Sequence, residues 1–138
     1  MRIYLIGCMP EGKNSDLEER IMKILLAAVN AKYIHSNLAV YCLKAYAEKY
    51  GDTSDEISIG EYTINQTKDE ILKDIYLSGA DVVCFSCYIW NISFVRDLLE
   101  DLHKILPDVK FWTGGPEVSF DAEAFLRRTP QVTGVMVG

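Results

Sequence analysis

The chain has 138 residues, of which 49% are hydrophobic and 25% charged, enough for one globular domain with a single core. Its net charge is −6 and its Lys and Arg residues are scattered apart from the pair Arg127-Arg128, which argues against nucleic acid as a partner because phosphate binding needs clustered cations. No apolar run approaches the roughly 20 residues that cross a bilayer, and Met1 to Gly7 lacks a secretion signal's basic start, so a cytoplasmic protein without membrane contact is expected.

In chain order, Met1 to Gly7 can form a strand and Ser15 to Ile21 a helical turn. Residues 1–21 otherwise read as an N-terminal extension whose structure the sequence does not define. The regular pattern occupies residues 22–138. The near-continuous apolar run Lys23 to Val29 reads as a strand buried on both faces, as in a parallel sheet. Asn37 to Tyr50 has helical spacing, with Leu38, Ala39, Cys42, Leu43, Tyr46 and Tyr50 on one stripe, Ser36 as the expected N-cap and Gly51 as the stop. Ile57 to Ile64 is a second strand, and Gly60 inside it suggests a bulge or an edge position. Thr67-Lys68-Asp69-Glu70 has the form of a capping box, so a helix follows, with Ile71, Leu72 and Ile75 inward and Gly79 at its end. Asp81 to Ser86 is a third, central strand. From Phe94 to Leu106 an apolar stripe predicts a strongly amphipathic helix closed by Pro107. Val109 to Thr113 is a fourth strand. A short helix from Asp121 to Arg128 precedes a fifth strand over Gly134 to Val137.

Repeated βα units predict an α/β fold. This is a five-stranded parallel, doubly wound sheet of flavodoxin or Rossmann-like type, with strand order 2-1-3-4-5. A fifth helix is missing, and it would lie on the same face as the first. Apolar sheet is therefore expected to be bare there, to be covered either by the N-terminal extension or by a second copy of the chain in a homodimer.

In such sheets ligands bind at the carboxyl ends of the strands, where strand order reverses. The loops concerned are Asn30 to Ser36, Ser86 to Asn91, Gly114 to Ser119, and Gly138. The first loop, Asn30-Ala31-Lys32-Tyr33-Ile34-His35, has no glycine, which excludes both the dinucleotide fingerprint and a Walker-type loop. It also lacks the acidic pair of a phosphoacceptor domain. Gly114-Gly115-Pro116 reads either as a tight βα turn or as backbone kept clear for a bulky ligand and stiffened by proline. His35 lies where it can approach a ligand or simply begin the first helix. Tyr88, Trp90, Phe120 and Tyr33 form either an aromatic wall for a planar ligand or a hydrophobic cluster under loops. Four cysteines, Cys8, Cys42, Cys84 and Cys87, are expected to be free thiols. Cys84-Phe85-Ser86-Cys87 reads as two buried small apolar residues, or as a redox dithiol or half a metal site. No second pair completes a zinc set.

Several of these stretches occur together in one known family. The helix with Asn37-Leu38-Ala39, Leu43 and Tyr46, the strand Ala80-Asp81-Val82-Val83-Cys84-Phe85-Ser86-Cys87, then Leu106-Pro107-Asp108-Val109, Thr113-Gly114-Gly115-Pro116-Glu117, and Val135-Met136-Val137-Gly138 are the matching features. Residues 22–138 resemble the N-terminal cobalamin-binding domain of cobalamin-dependent radical S-adenosylmethionine enzymes. Relatives of this kind often carry the label of anaerobic magnesium-protoporphyrin monomethyl ester cyclase. The resemblance implies cobalamin held at the strand ends, with Ser86 contacting its nucleotide tail and Gly114 and Gly115 letting the tail lie against backbone. Asn30, Ala31, Lys32, His35, Cys87, Tyr88, Pro116, Glu117 and Gly138 complete the implied surroundings.

The Asp-x-His-x-x-Gly motif of the methionine-synthase and mutase branch is absent from Asn30 to His35. In the radical-enzyme branch cobalt is often held without a protein histidine. The resemblance further implies a parent whose downstream radical domain carries S-adenosylmethionine and a [4Fe–4S] cluster on Cys-x-x-x-Cys-x-x-Cys, a motif these residues lack. On this reading the chain is not catalytic alone. Two other readings stand beside it: a scaffold domain of the same fold that has lost cobalamin, and a thiol oxidoreductase using Cys84 and Cys87.

Overall fold

The computed structural model describes residues 2–5, 21–32, 36–51 and 54–138. Six strands and five helices follow in the order β1 (Arg2–Leu5), β2 (Lys23–Asn30), α1 (Leu38–Tyr50), β3 (Glu56–Thr63), α2 (Lys68–Ser78), β4 (Val82–Ser86), α3 (Ile92–Ile105), β5 (Lys110–Gly114), α4 (Pro116–Ser119), α5 (Ala122–Arg128) and β6 (Val132–Val137). They build one sheet in the spatial order β1-β6-β5-β4-β2-β3. β2 to β6 are all parallel, and counted by themselves they run 2-1-3-4-5, the expected order.

The sheet is nevertheless not purely parallel. β1 pairs with β6 antiparallel, Arg2 opposite Val137 and Leu5 opposite Gly134. This pairing removes the unpaired edge that β6 would otherwise present.

Period-two alternation divides the sheet into two unlike faces. Leu25, Ala27 and Val29 of β2, Val83 and Phe85 of β4, Phe111 of β5 and Val135 of β6 share the main core. There they meet Ile71 and Ile75 of α2, Val95, Leu98, Leu99 and Leu102 of α3, and Ala122 and Leu126 of α5. α3 supplies the largest share because its apolar residues recur at helical spacing on one stripe. α2 begins on the expected capping box, with Thr67 and Glu70 each satisfying a backbone amide of the other, and ends on Gly79 at φ 62°.

The second face is thin. Its cluster is Leu26 and Ala28 of β2 and Val40 of α1, with Ile24, Ile57, Ile59 and Cys84 against it. Of the stripe expected to face inward from α1, Leu38, Leu43, Tyr46 and Tyr50 are exposed. The reason is positional. α1 contacts only β2 and β3 among the strands it meets appreciably, so one line of the helix reaches the sheet. Tyr46 and Tyr50 pack instead on each other, with ring centroids 4.7 Å apart. Among the described residues Val40 is the helical residue in this cluster, which draws no residue from β5 or β6.

One local expectation is corrected, and one is narrowed to the edge alternative. Asn37, not Ser36, caps α1, its side chain accepting from the amide of Ala39. Gly60 makes no bulge, since β2 and β3 stay in register from Lys23–Glu56 to Asn30–Thr63. Its missing Cβ makes room for the Tyr62 ring, whose hydroxyl would lie 2.6 Å away, and β3 is the edge strand. The irregularity in the sheet falls between Phe111 and Trp112, on β5 against β6.

Candidate functional site

The chain leaves β2 on one side to form β3 and returns on the other to form β4, so strand order reverses between β2 and β4. At their carboxyl ends the register aligns Ala28, Ser86, Gly114 and Met136 in one row across four strands, on the thinly covered face. Three of these side chains are small or absent, which lowers the sheet surface along the row. The next row toward the strand starts holds Leu26 and Cys84.

Above these rows lies a cleft of about 440 Å³ between α1 and the sheet. Ala39, Val40 and Leu43 of α1 form one wall, Leu26, Cys84 and Ser86 the floor, and Gly114, Gly115, Pro116, Ser119, Met136 and Gly138 the far side, with Tyr88 at the mouth. Among the described residues no charged side chain lines it. A smaller hollow, lined by Asn30, Ala31, Ser36, Asn37, Tyr88 and Trp90, adjoins it at Tyr88.

The loops that shape the cleft are fixed by hydrogen bonds. Asn91 is fully buried. Its amide nitrogen donates to the carbonyls of Val29 (3.0 Å) and Ser86 (2.9 Å), and its oxygen accepts from the Tyr88 amide (2.8 Å). One side chain thereby ties the ends of β2 and β4 to the loop after β4. The Cys87 amide donates to the Gly114 carbonyl at 2.7 Å, joining that loop to the one after β5. Gly115 sits at φ 107°, ψ 171°, a conformation open essentially to glycine alone. A Cβ on it would lie 2.5 Å from the Cys87 carbonyl oxygen. Gly114 differs, because a Cβ there meets only Met136 at 3.4 to 3.8 Å, ordinary contact.

Ser86 is 9% exposed. Its hydroxyl oxygen accepts a 2.9 Å hydrogen bond from the side-chain amide of Asn37.

The expected site residues are therefore distributed as follows. Ser86, Tyr88, Gly114, Gly115, Pro116 and Gly138 line the cleft, and Asn30 and Ala31 line the adjoining hollow. Cys87 is buried in the main core on the opposite face. Glu117 is exposed and lines a shallow depression with Arg96 and Phe120, away from the cleft. Lys32 is exposed and lines neither cavity. His35 and Tyr33 lie outside the described residues. Tyr88 and Trp90 stack with centroids 4.5 Å apart, while Phe120 is 98% exposed and does not join them.

Leu26, Val40, Leu43, Met136 and above all Asn37 were not anticipated as site residues, while Asn91 and Ser119 stand at the ends of loops expected to bind a ligand but were given no role there. Asn37 and Asn91 were findable in part, since each stands in a loop at a strand's carboxyl end just before a helix.

The two thiols of Cys84 and Cys87 are both pushed up to about 12 by burial. They point to opposite faces of the sheet end, and neither supplies the thiolate that redox exchange requires. Among the described residues no group of three or more His, Cys, Asp or Glu could hold a metal ion, and no helix is long and apolar enough to cross a membrane.

A parallel sheet with a cleft at its switch point defines a ligand-binding α/β domain. Residues 24–138 match the B12 binding domain family, and the chain belongs to it. Among solved structures, the chain is similar to the cobalamin-dependent S-adenosylmethionine radical enzyme OxsB with aqua-cobalamin and S-adenosylmethionine bound, at a TM-score of 0.66 and 17% identity, over 81% of this chain and 16% of that one. It is also similar to a cobalamin-binding protein from Desulfitobacterium hafniense DCB-2, at a TM-score of 0.51 and 17% identity, over 79% of this chain and 50% of that one. A family 3 glycoside hydrolase from Paenibacillus sp. shares the fold at 0.56 and 19% identity, over 96% of this chain and 24% of that one. At these identities the likenesses show the fold alone. No curated protein matches the chain.

Proposed function

We propose that this chain binds cobalamin, with the nucleotide tail in the cleft between α1 and the sheet, as the cofactor module of a radical S-adenosylmethionine enzyme. The carrying observation is the cleft itself. It stands at the switch point, has the size of a small-molecule site (roughly 300 to 1,000 Å³), and offers apolar walls with one buried hydroxyl at its floor. These residues fit a flat, uncharged aromatic base. Leu26, Val40 and Met136 would sandwich it, Ser86 would meet its polar edge, and Gly114 would leave the space a side chain would take. Tyr88, Trp90, Asn30 and Ala31 would lie under the larger ring system at the mouth.

Bound cobalamin supplies a cobalt centre able to carry a methyl group. Family membership supports the cofactor, and the likeness to OxsB supports the radical-enzyme setting. This chain spans 16% of the OxsB chain's length, so S-adenosylmethionine and the iron–sulfur cluster would belong to other residues of a parent, in contact with this domain. A cytoplasmic setting and a catalytic partner domain are part of the same proposal.

The test is direct. Purified protein mixed with hydroxocobalamin and passed through a desalting column should emerge coloured, with the absorption of cobalamin. Gly114→Leu, which fills the floor row, should weaken binding by about 30-fold or more while the protein stays folded. Colourless wild-type protein would overturn the reading and favour a scaffold domain of the same ancestry.

A further inference from the structure

We propose that two copies of this chain join along β3, antiparallel, in the register that sets Ile59 opposite its own counterpart. The proposal goes beyond the cobalamin reading and does not depend on it. It starts from the two edges of the sheet. β1 is one and has four residues; β3 is the other and has eight, with no proline or lysine to blunt it. Successive residues of a strand turn their amide and carbonyl to opposite sides. The Glu56 amide donates to the Met22 carbonyl at 2.9 Å, and the Ile64 amide to the Asn30 carbonyl at 3.0 Å. Glu56, Ser58, Gly60 and Tyr62 therefore bond toward β2, and Ile57, Ile59, Glu61 and Thr63 face outward. Thr63 is already satisfied. Its amide donates to Oε1 of Gln66 at 2.8 Å, and its carbonyl accepts from the Gln66 amide at 3.1 Å. The amides and carbonyls of Ile57, Ile59 and Glu61 have no partner among the described residues.

A copy of the same strand answers these groups in one register. With Ile59 opposite Ile59, Ile57 stands opposite Glu61 and Glu61 opposite Ile57. All three outward residues then form hydrogen-bonded pairs, each exchanging two bonds. On the α1 side of the sheet the two Ile59 side chains meet, extending the thin cluster that Ile57 and Ile59 already border. On the other side Ser58 faces Gly60 and Glu56 faces Tyr62, so no carboxylate is set against another. A slip of two residues one way sets Asp55 opposite Glu61. The same slip the other way sets Ile57 opposite Thr63, whose groups are already used. The flank of α1 above this edge suits a copy of itself as well. Tyr41 donates to Oε2 of Glu61 at 2.7 Å, and Lys44 and Glu48 follow it at helical spacing, one charge of each sign.

Sedimentation velocity of the purified chain should show a monomer giving way to a dimer as concentration is raised to the millimolar range. Residue-resolved hydrogen exchange should slow by about tenfold or more on association at the amides of Ile57, Ile59 and Glu61. The amides of Ser58, Gly60 and Tyr62 bond to β2 in either state and should change far less. That alternation is the signature of pairing along this edge. Ile59→Pro removes the central outward amide hydrogen and no bond to β2. It should keep the circular dichroism of the monomer and weaken the dimer by about tenfold or more.

A chain that stays monomeric at millimolar concentration would overturn the proposal. So would a dimer whose three outward amides exchange as fast as in the monomer, because it would be built on another surface. Undiminished association of folded Ile59→Pro would do the same. If that variant does not fold, the exchange pattern of the wild-type chain decides alone. None of these results bears on hydroxocobalamin uptake, so the two readings stand or fall separately.

Discussion

At the scale of single residues, the paired glycines after β5 have different physical obligations. Gly115 is held by the protein itself. Its φ of 107° and the Cys87 carbonyl leave no place for a side chain. Gly115→Ala should therefore cost about 3 kcal/mol or more of stability, from strain and from displacing a buried hydrogen-bonded loop. Gly114→Ala should change stability by less than about 1 kcal/mol, because its Cβ meets Met136 at contact distance. Urea denaturation of the two variants would show the contrast, and equal effects would contradict it. From the sequence both positions read either as a tight βα turn or as backbone kept clear for a ligand. Spacing cannot tell which neighbour occupies the space beside a glycine. That depends on Cys87, which lies 28 positions earlier and arrives only when β4 and β5 pair.

At the scale of elements, the loop after β4 is positioned by Asn91, not by the helix that it begins. Asn91 makes no side-chain bond to the amides of α3; its three hydrogen bonds go to Val29, Ser86 and Tyr88. Asn91→Leu keeps the volume and leaves two buried carbonyls and an amide without partners. It should destabilise the domain by about 3 kcal/mol, and it should also loosen the Tyr88–Trp90 stack, visible in tryptophan fluorescence. A loss below about 1 kcal/mol would show that the loop is held by packing alone.

Asn91 was legible as part of a ligand-side loop but not as a clamp, because a polar residue just before a helix reads as a cap. Elsewhere the elements were well marked. The stripe Val95, Leu98, Leu99, Leu102 is buried as its period requires, and the capping box of α2 is present. The stripe of α1 was just as regular and is mostly exposed. Amphipathic spacing says which side of a helix is apolar, and only the tertiary arrangement says whether anything lies against it.

At the scale of the whole molecule, the order of the five parallel strands was legible because repeated βα units admit few arrangements. The antiparallel β1 was not, because four residues carry no periodicity long enough to assign a partner or a direction. The molecule as a whole should also respond to alkali. Burial raises the Cys84 and Cys87 thiols to about 12 from an ordinary 9.0, and raises the Tyr62 phenol, which is also hydrogen-bonded to Asp74. These groups are neutral when protonated. Below about pH 9 folded and unfolded chains hold the same protons on the two thiols, and nothing is lost. As pH rises from about 9 toward 12 the unfolded chain releases those protons first, so stability falls. Melting temperature should drop between about pH 9 and pH 12, and the drop should be smaller in Cys84→Ala. An identical pH profile for that variant would place the sensitivity elsewhere.

The pairing of β1 with β6 joins strands from opposite ends of the sequence, Arg2 with Val137. During synthesis β1 waits for this partner until β6 has been made. Closing so long a loop is entropically slow. β2 to β5 can assemble in the meantime from units adjacent in the chain. The edge beside Met136, and with it the far side of the cleft, is thus completed late, which makes ligand competence one of the final properties the nascent domain acquires.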